Sequence, residues 1–152
     1  MFRQGVDNSK LELEKTYDLL MRDFNNKVLQ AELDFRLGTM IHWIMAYWER
    51  ARRTYPEIPD DTNSLFSAFS FANNQMKHEV KLTKLTQISG GFSFPISFPL
   101  SIPPIEFIWH LNSENQTGFE NQEANYKKHL ENRVVMETIT KAIEILKEYK
   151  IS

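Results

Sequence analysis

Apolar residues fall at helical spacing along the first fifty positions. Leu13, Tyr17, Leu20, Phe24 and Val28 step by four, three, four and four, a single stripe on a 3.6-residue period. A second stripe, Leu33, Leu37, Ile41, Ile44, Trp48 and Ala51, keeps that rhythm but runs five residues out of phase with the first. The phase change predicts a break near residues 25–30, with one long helix as the alternative. Ser9 and Glu12 have the spacing of a capping box, which sets the first helix at about 10–27. The second, about 31–53, stops ahead of Tyr55-Pro56 and Ile58-Pro59, because proline disfavours helical geometry in the residue before it. Asp60, Asp61, Thr62, Asn63 and Ser64 crowd N-cap residues ahead of the stripe Leu65, Phe69, Ala72, Met76 and Val80, predicting a third helix over about 63–85. Val135, Ile139, Ala142, Leu146 and Tyr149 mark the face of a last helix over about 118–149, with Glu137 and Lys141 four apart on its solvent side.

Between the third and last helices the pattern changes period. Phe92, Phe94, Ile96, Phe98, Leu100 and Ile102 alternate with Ser93, Pro95, Ser97, Pro99, Ser101 and Pro103. Period two means extended chain with one oily face. From Leu85 to Ser113 the only fully charged side chain is Glu106, and four of the 6 prolines lie at 95, 99, 103 and 104. Proline removes ladder donors, so a central strand is excluded. An edge strand, a proline-blunted hairpin or a polyproline-like strap remains, following a turn at Gly90-Gly91. The expected fold is all-α: a four-helix-type bundle with a Pro/Phe-rich extended or β-hairpin insertion, about 88–108, before the last helix.

Composition narrows the function classes. With 152 residues the chain is long enough for one helical domain over 1–152 with a real core. Its 18 basic and 20 acidic side chains leave a formal charge of −2, so no global field points to nucleic acid. There are 0 cysteines, which excludes disulfides, thiolate metal ligands and a cysteine nucleophile. The first ten residues lack the apolar stretch of a signal peptide, and the most apolar run, Met40 to Trp48, is about half the ~20 residues of a membrane span. A cytoplasmic protein with no membrane partner is expected.

The candidate chemistry lies on the third helix, in Asn73-Asn74-Gln75-Met76-Lys77-His78. Asn74 and His78 are four apart, so on a continuous helix both project from one face, with Phe71, Leu82 and Leu85 on roughly the same side. Such a pair reads either as a hydrogen-bonded core network or as a site where His78 exchanges a proton near neutral pH. At these residues the chain resembles the HEPN superfamily of small helical bundles. The family's signature is an arginine, usually then an asparagine, about three variable residues and a histidine. Asn74 and His78 match the asparagine and histidine, while Asn73 stands where the arginine should be. The chain length, two-helix start, motif on the following helix and long last helix also match the family plan. The resemblance implies a homodimer pairing two motifs and, in an enzyme, a metal-independent ribonuclease in a toxin, defence or RNA-processing setting. It gives His78 the acid/base role and Asn74 an orienting role, with Asn73 at the phosphate position. A neutral amide there cannot replace a bidentate guanidinium.

Arg50, Arg52 and Arg53 close the second helix. They either complement its dipole or join Lys77, Lys81 and Lys84 in a basic patch for nucleic acid. His42 and His129 invite comparison with histidine metal sites in bundles. No Glu-x-x-His or His-x-x-x-His pair exists to place two ligands on one helix, so no metal and no cofactor are expected. Glycine-rich phosphate loops and nucleophile elbows are lacking too. Two functions are therefore expected: a HEPN-like domain that binds or cleaves RNA through His78 and Asn74, or a non-catalytic dimeric adaptor that engages a protein through residues 92–102.

Overall fold

The computed structural model describes residues 1–87, 105–111 and 119–151. These form five helices and one two-stranded antiparallel sheet, an all-α bundle with a small hairpin ahead of its last helices. The first helix, α1, spans Phe2–Arg22 and starts well before the expected capping box. Its buried line is Val6, Ser9, Leu13, Thr16 and Leu20, so Ser9 belongs to the packed face and does not cap it. Gly5 permits the close approach to the next helix: a Cβ there would stand 2.5 Å from the Trp43 indole.

A turn at 23–26 reverses the chain into α2, Lys27–Thr54. Asn26 caps it by accepting from the Leu29 N–H at 3.1 Å. All six residues of the second stripe are buried, whereas Val28, assigned to the first stripe, is 78% exposed beyond the turn. The third helix, α3, covers Asp60–Lys77 and ends about eight residues short of its expected limit. Its stop is a Schellman arrangement: the Val80 N–H donates to Gln75 C=O and the Glu79 N–H to Met76 C=O, both at 3.0 Å, with Glu79 at φ 60°. Val80 then folds back against the core, so an apolar residue stands at helical spacing where no helix continues.

Residues 83–85, expected to be helical, open strand β1, Thr83–Gln87, which pairs with β2, Ile105–Trp109, in the register Thr83↔Trp109. β2 is the end of the expected extended insertion. The alternating stretch itself, 92–102, lies outside the described residues.

The expected last helix is two, α4 at Glu120–His129 and α5 at Val135–Lys147. The break has a tertiary cause. Trp109 on β2 donates its backbone N–H to Arg133 C=O at 3.0 Å and accepts the Asn132 N–H at 2.9 Å, with Asn132 at φ 64°. Trp109, Phe69, Phe71 and Tyr126 then meet as an aromatic cluster where α3, α4 and β2 converge. Trp48 stacks on Phe66 at 4.3 Å between α2 and α3. Their burial supplies the bulk of the driving force in this part of the core.

Candidate functional site

Helix α3 is central: it packs on α2, α4 and α5, and polar side chains sit at both of its ends. At the C-terminal end the Asn73–His78 segment occupies the last turn, not mid-helix. Asn74 is half-buried and His78, the C-cap residue, is exposed. The His78 N–H still donates to the Asn74 C=O at 3.3 Å, so the four-residue relation survives in the final turn. The apolar flank expected for His78 does not form, because Leu82 and Leu85 belong to the segment beyond the helix stop.

Two shallow clefts flank this end. One, between α2 and α3, is lined by Asp34, Phe35, Thr39, His42, Asn73 and Lys77. The other runs between α2 and β1 and is walled by Lys27, Gln30, Lys81 and Lys84 over a floor that includes Leu33 and Phe107. Asp34 lines both, so the two clefts share one carboxylate. Lys81 lies 3.8 Å from Asp34 in an exposed ion pair. Lys27, Lys77 and Lys84 are exposed and have no ion-pair partner among the described residues. A protein of net charge −2 thus gathers four lysines around the end of one helix.

The arginines do not join them. Arg50, Arg52 and Arg53 follow Thr39 by eleven residues or more on α2, roughly 17 Å along the axis at 1.5 Å per residue. Arg52 pairs with Glu49 at 2.8 Å, and this end of α2 lies beside Asn63 and Phe66 at the start of α3.

At the N-terminal end of α3 the structure assembles a network that the linear pattern does not reveal. Ser64 Oγ donates to Asn125 Oδ1 at 2.9 Å and lies 2.7 Å from His129 Nε2, while Asn125 Nδ2 donates to Ser67 Oγ at 3.0 Å. Ser64 and Ser67 are three apart on α3, and Asn125 and His129 four apart on α4, so each pair faces the other helix. That facing spacing is the one sequence signal for the network. Ser64 stands out in the sequence only as an N-cap candidate, and His129 only as a potential metal ligand. Burial holds the His129 imidazole below its ordinary value of 6.5, and the neighbouring cations Lys128, Lys141 and Arg133 act in the same direction against an opposing Asp61. His129 is therefore neutral at pH 7.

His42 is an exposed residue on the α2 flank, its ring edge-on to Trp43. Among the described residues no three His, Asp or Glu side chains converge as metal ligands, and no helix is long and apolar enough to cross a membrane. Comparison with family models, curated proteins and solved structures finds no match to this chain.

Proposed function

We propose that this chain is a HEPN-like RNA-binding domain that holds a single-stranded segment across the lysine-bearing end of α3, with Asn74 and His78 at the centre of contact. The observation that carries this reading is the pair of clefts that share Asp34 and are lined by Lys27, Lys77, Lys81 and Lys84, three of them without an ion-pair partner among the described residues. Phosphates spaced along a strand take such point charges in succession, and the half-apolar cleft floor offers bases a surface. Binding is favoured over cleavage by the chemistry at position 73. The neutral Asn73 amide lines the α2–α3 cleft where the family's arginine would grip the scissile phosphate, and the α2 arginines are too far along their helix to substitute. Pairing of two such ends in a homodimer belongs to the same proposal.

Fluorescence anisotropy with a labelled single-stranded RNA tests it. Replacing Lys77, Lys81 and Lys84 with alanine is expected to weaken binding at least tenfold and to flatten the log-affinity versus log-salt slope by about 2, at ~0.7 per lost phosphate contact on a single strand. His78→Ala should weaken binding less, and RNA incubated with the protein in EDTA should stay full length. No binding at low salt, or an unchanged slope in the triple variant, overturns the reading.

A further inference from the structure

The Ser64–Asn125–His129 network borders a cleft of about 400 Å³ that the RNA reading does not use. Its walls carry His129, Asn132, Arg133, Glu137, Lys141 and Glu106, drawn from α4, α5, the loop between them and β2. Leu65 on the floor lies twelve residues, roughly 18 Å of helix, from Lys77, which makes this a second location.

Three observations point the same way. First, the orientation of the Asn125 side-chain amide assigns the histidine's tautomer. Asn125 Nδ2 donates to Ser67, so its Oδ1 only accepts, and the single Ser64 proton goes there. Ser64 Oγ therefore offers His129 Nε2 a lone pair, and Nε2 must carry the proton. Nδ1 is left as a free acceptor, with no partner among the described residues. Second, the loop bearing Asn132 and Arg133 is held at both strand-facing atoms of Trp109, so the guanidinium is carried on a fixed backbone. Third, Arg133 and Lys141 form no ion pair among the described residues, although Glu137 lines the same cleft and stands one helical turn from Lys141 on α5. Opposite charges thus line one cleft without neutralising one another.

We propose that this cleft binds a small hydroxyl-bearing phosphate monoester, with Arg133 and Lys141 holding the phosphate and His129 Nδ1 accepting a hydrogen bond from the ligand. Glu106 and Glu137 supply further acceptors for hydroxyl groups, which is why a polyol phosphate suits the cleft better than a bare dianion. A neutral imidazole of fixed tautomer gives the ligand a directional contact with no charge of its own.

Long-range ¹H–¹⁵N correlation spectra of the imidazole test both halves. The free protein is expected to show His129 as the Nε2–H tautomer at pH 7. Titration with glycerol 2-phosphate is expected to shift Nδ1 with a saturating curve, and inorganic phosphate to bind at least threefold more weakly. The exposed pair Arg133→Gln with Lys141→Gln, which leaves the Ser64–Asn125–His129 network intact, should weaken the binding at least tenfold. An Nδ1–H tautomer overturns the assignment of His129. So does an absence of any shift up to roughly 50 mM of either probe, a concentration that detects even millimolar affinity. Undiminished binding in the double variant overturns the role given to the two cations. None of these readouts depends on RNA.

Discussion

The two ends of α3 present the same kinds of side chain to opposite fates. At the N-terminal end Ser64 and Ser67 are consumed by Asn125 and His129 of α4, and the polar atoms lie half-buried against one another. At the C-terminal end Asn74 and His78 make no side-chain hydrogen bond among the described residues, and His78 is exposed beside lysines. Helical spacing is common to both, so spacing alone does not tell a seam from a site. What separates them is whether a second element arrives to satisfy the hydrogen bonds. Where it does, a polar residue contributes to stability; where it does not, the group stays available to a ligand.

Stability measurements give the sharpest way to break this comparison. Ser64→Ala strips one partner from both Asn125 Oδ1 and His129 Nε2, and leaving such groups unpaired is expected to cost about 2 kcal/mol. His78→Ala removes an exposed ring and should stay within about 0.5 kcal/mol of the parent. Urea unfolding of the two variants reads the difference directly. Equal losses would mean that His78 is also a structural residue, and the contrast between the ends would fail.

The sequence shows one end of this contrast more clearly than the other, for a physical reason. Local signals were sufficient for the buried face of α2, whose stripe from Leu33 to Ala51 is buried throughout, and for a break before it, although the turn falls at 23–26 and α2 starts at Lys27 on an Asn26 cap, earlier than the expected start at about 31. They fail where the cause is distant or disguised. The α3 stop uses Glu79 in the left-handed region, where glycine would have announced it, and Val80 packs back onto the core as if the helix went on. The split between α4 and α5 is imposed by the Trp109 backbone, more than twenty residues upstream. The His129 network joins residues 61 and 65 apart, so no window on the chain contains it. Asn74 and His78, by contrast, are a single-window motif. They are legible as a pair, but the exposure that gives them meaning comes from a helix stop that the periodicity hides.

Acid sharpens the comparison next. His129 has a folded pKa below 6.5, so protonation favours the unfolded chain. Its contribution is fully present above pH 6.5, where both states are neutral. It is lost progressively as pH falls from 6.5 to the folded value, and is flat below that. A plot of unfolding free energy against pH should therefore decline through this window in the parent. His129→Gln should lose that segment of the slope. A parent slope that survives His129→Gln would assign the acid sensitivity to other groups.

The smallest expected effect concerns the backbone at the two ends. Glu79 (φ 60°) follows the open end, and Asn132 (φ 64°) sits in the loop beside the closed one. An L-residue in this region costs roughly 1–2 kcal/mol, less for asparagine, and glycine relieves it at the expense of a more flexible unfolded chain. Glu79→Gly is therefore expected to stabilise the protein by about 0.5–1 kcal/mol, and Asn132→Gly by less. Calorimetry would show the first as a rise in Tm of a few degrees. The same variant separates two accounts of the lysine cluster. If the Schellman hydrogen bonds alone set where Lys81 and Lys84 leave the helix, glycine preserves them and RNA affinity should stay within about twofold, apart from the small electrostatic gain from removing one carboxylate. If affinity collapses while Tm rises, the glutamate side chain is itself holding the open end in its binding geometry, and the helix stop becomes part of the site.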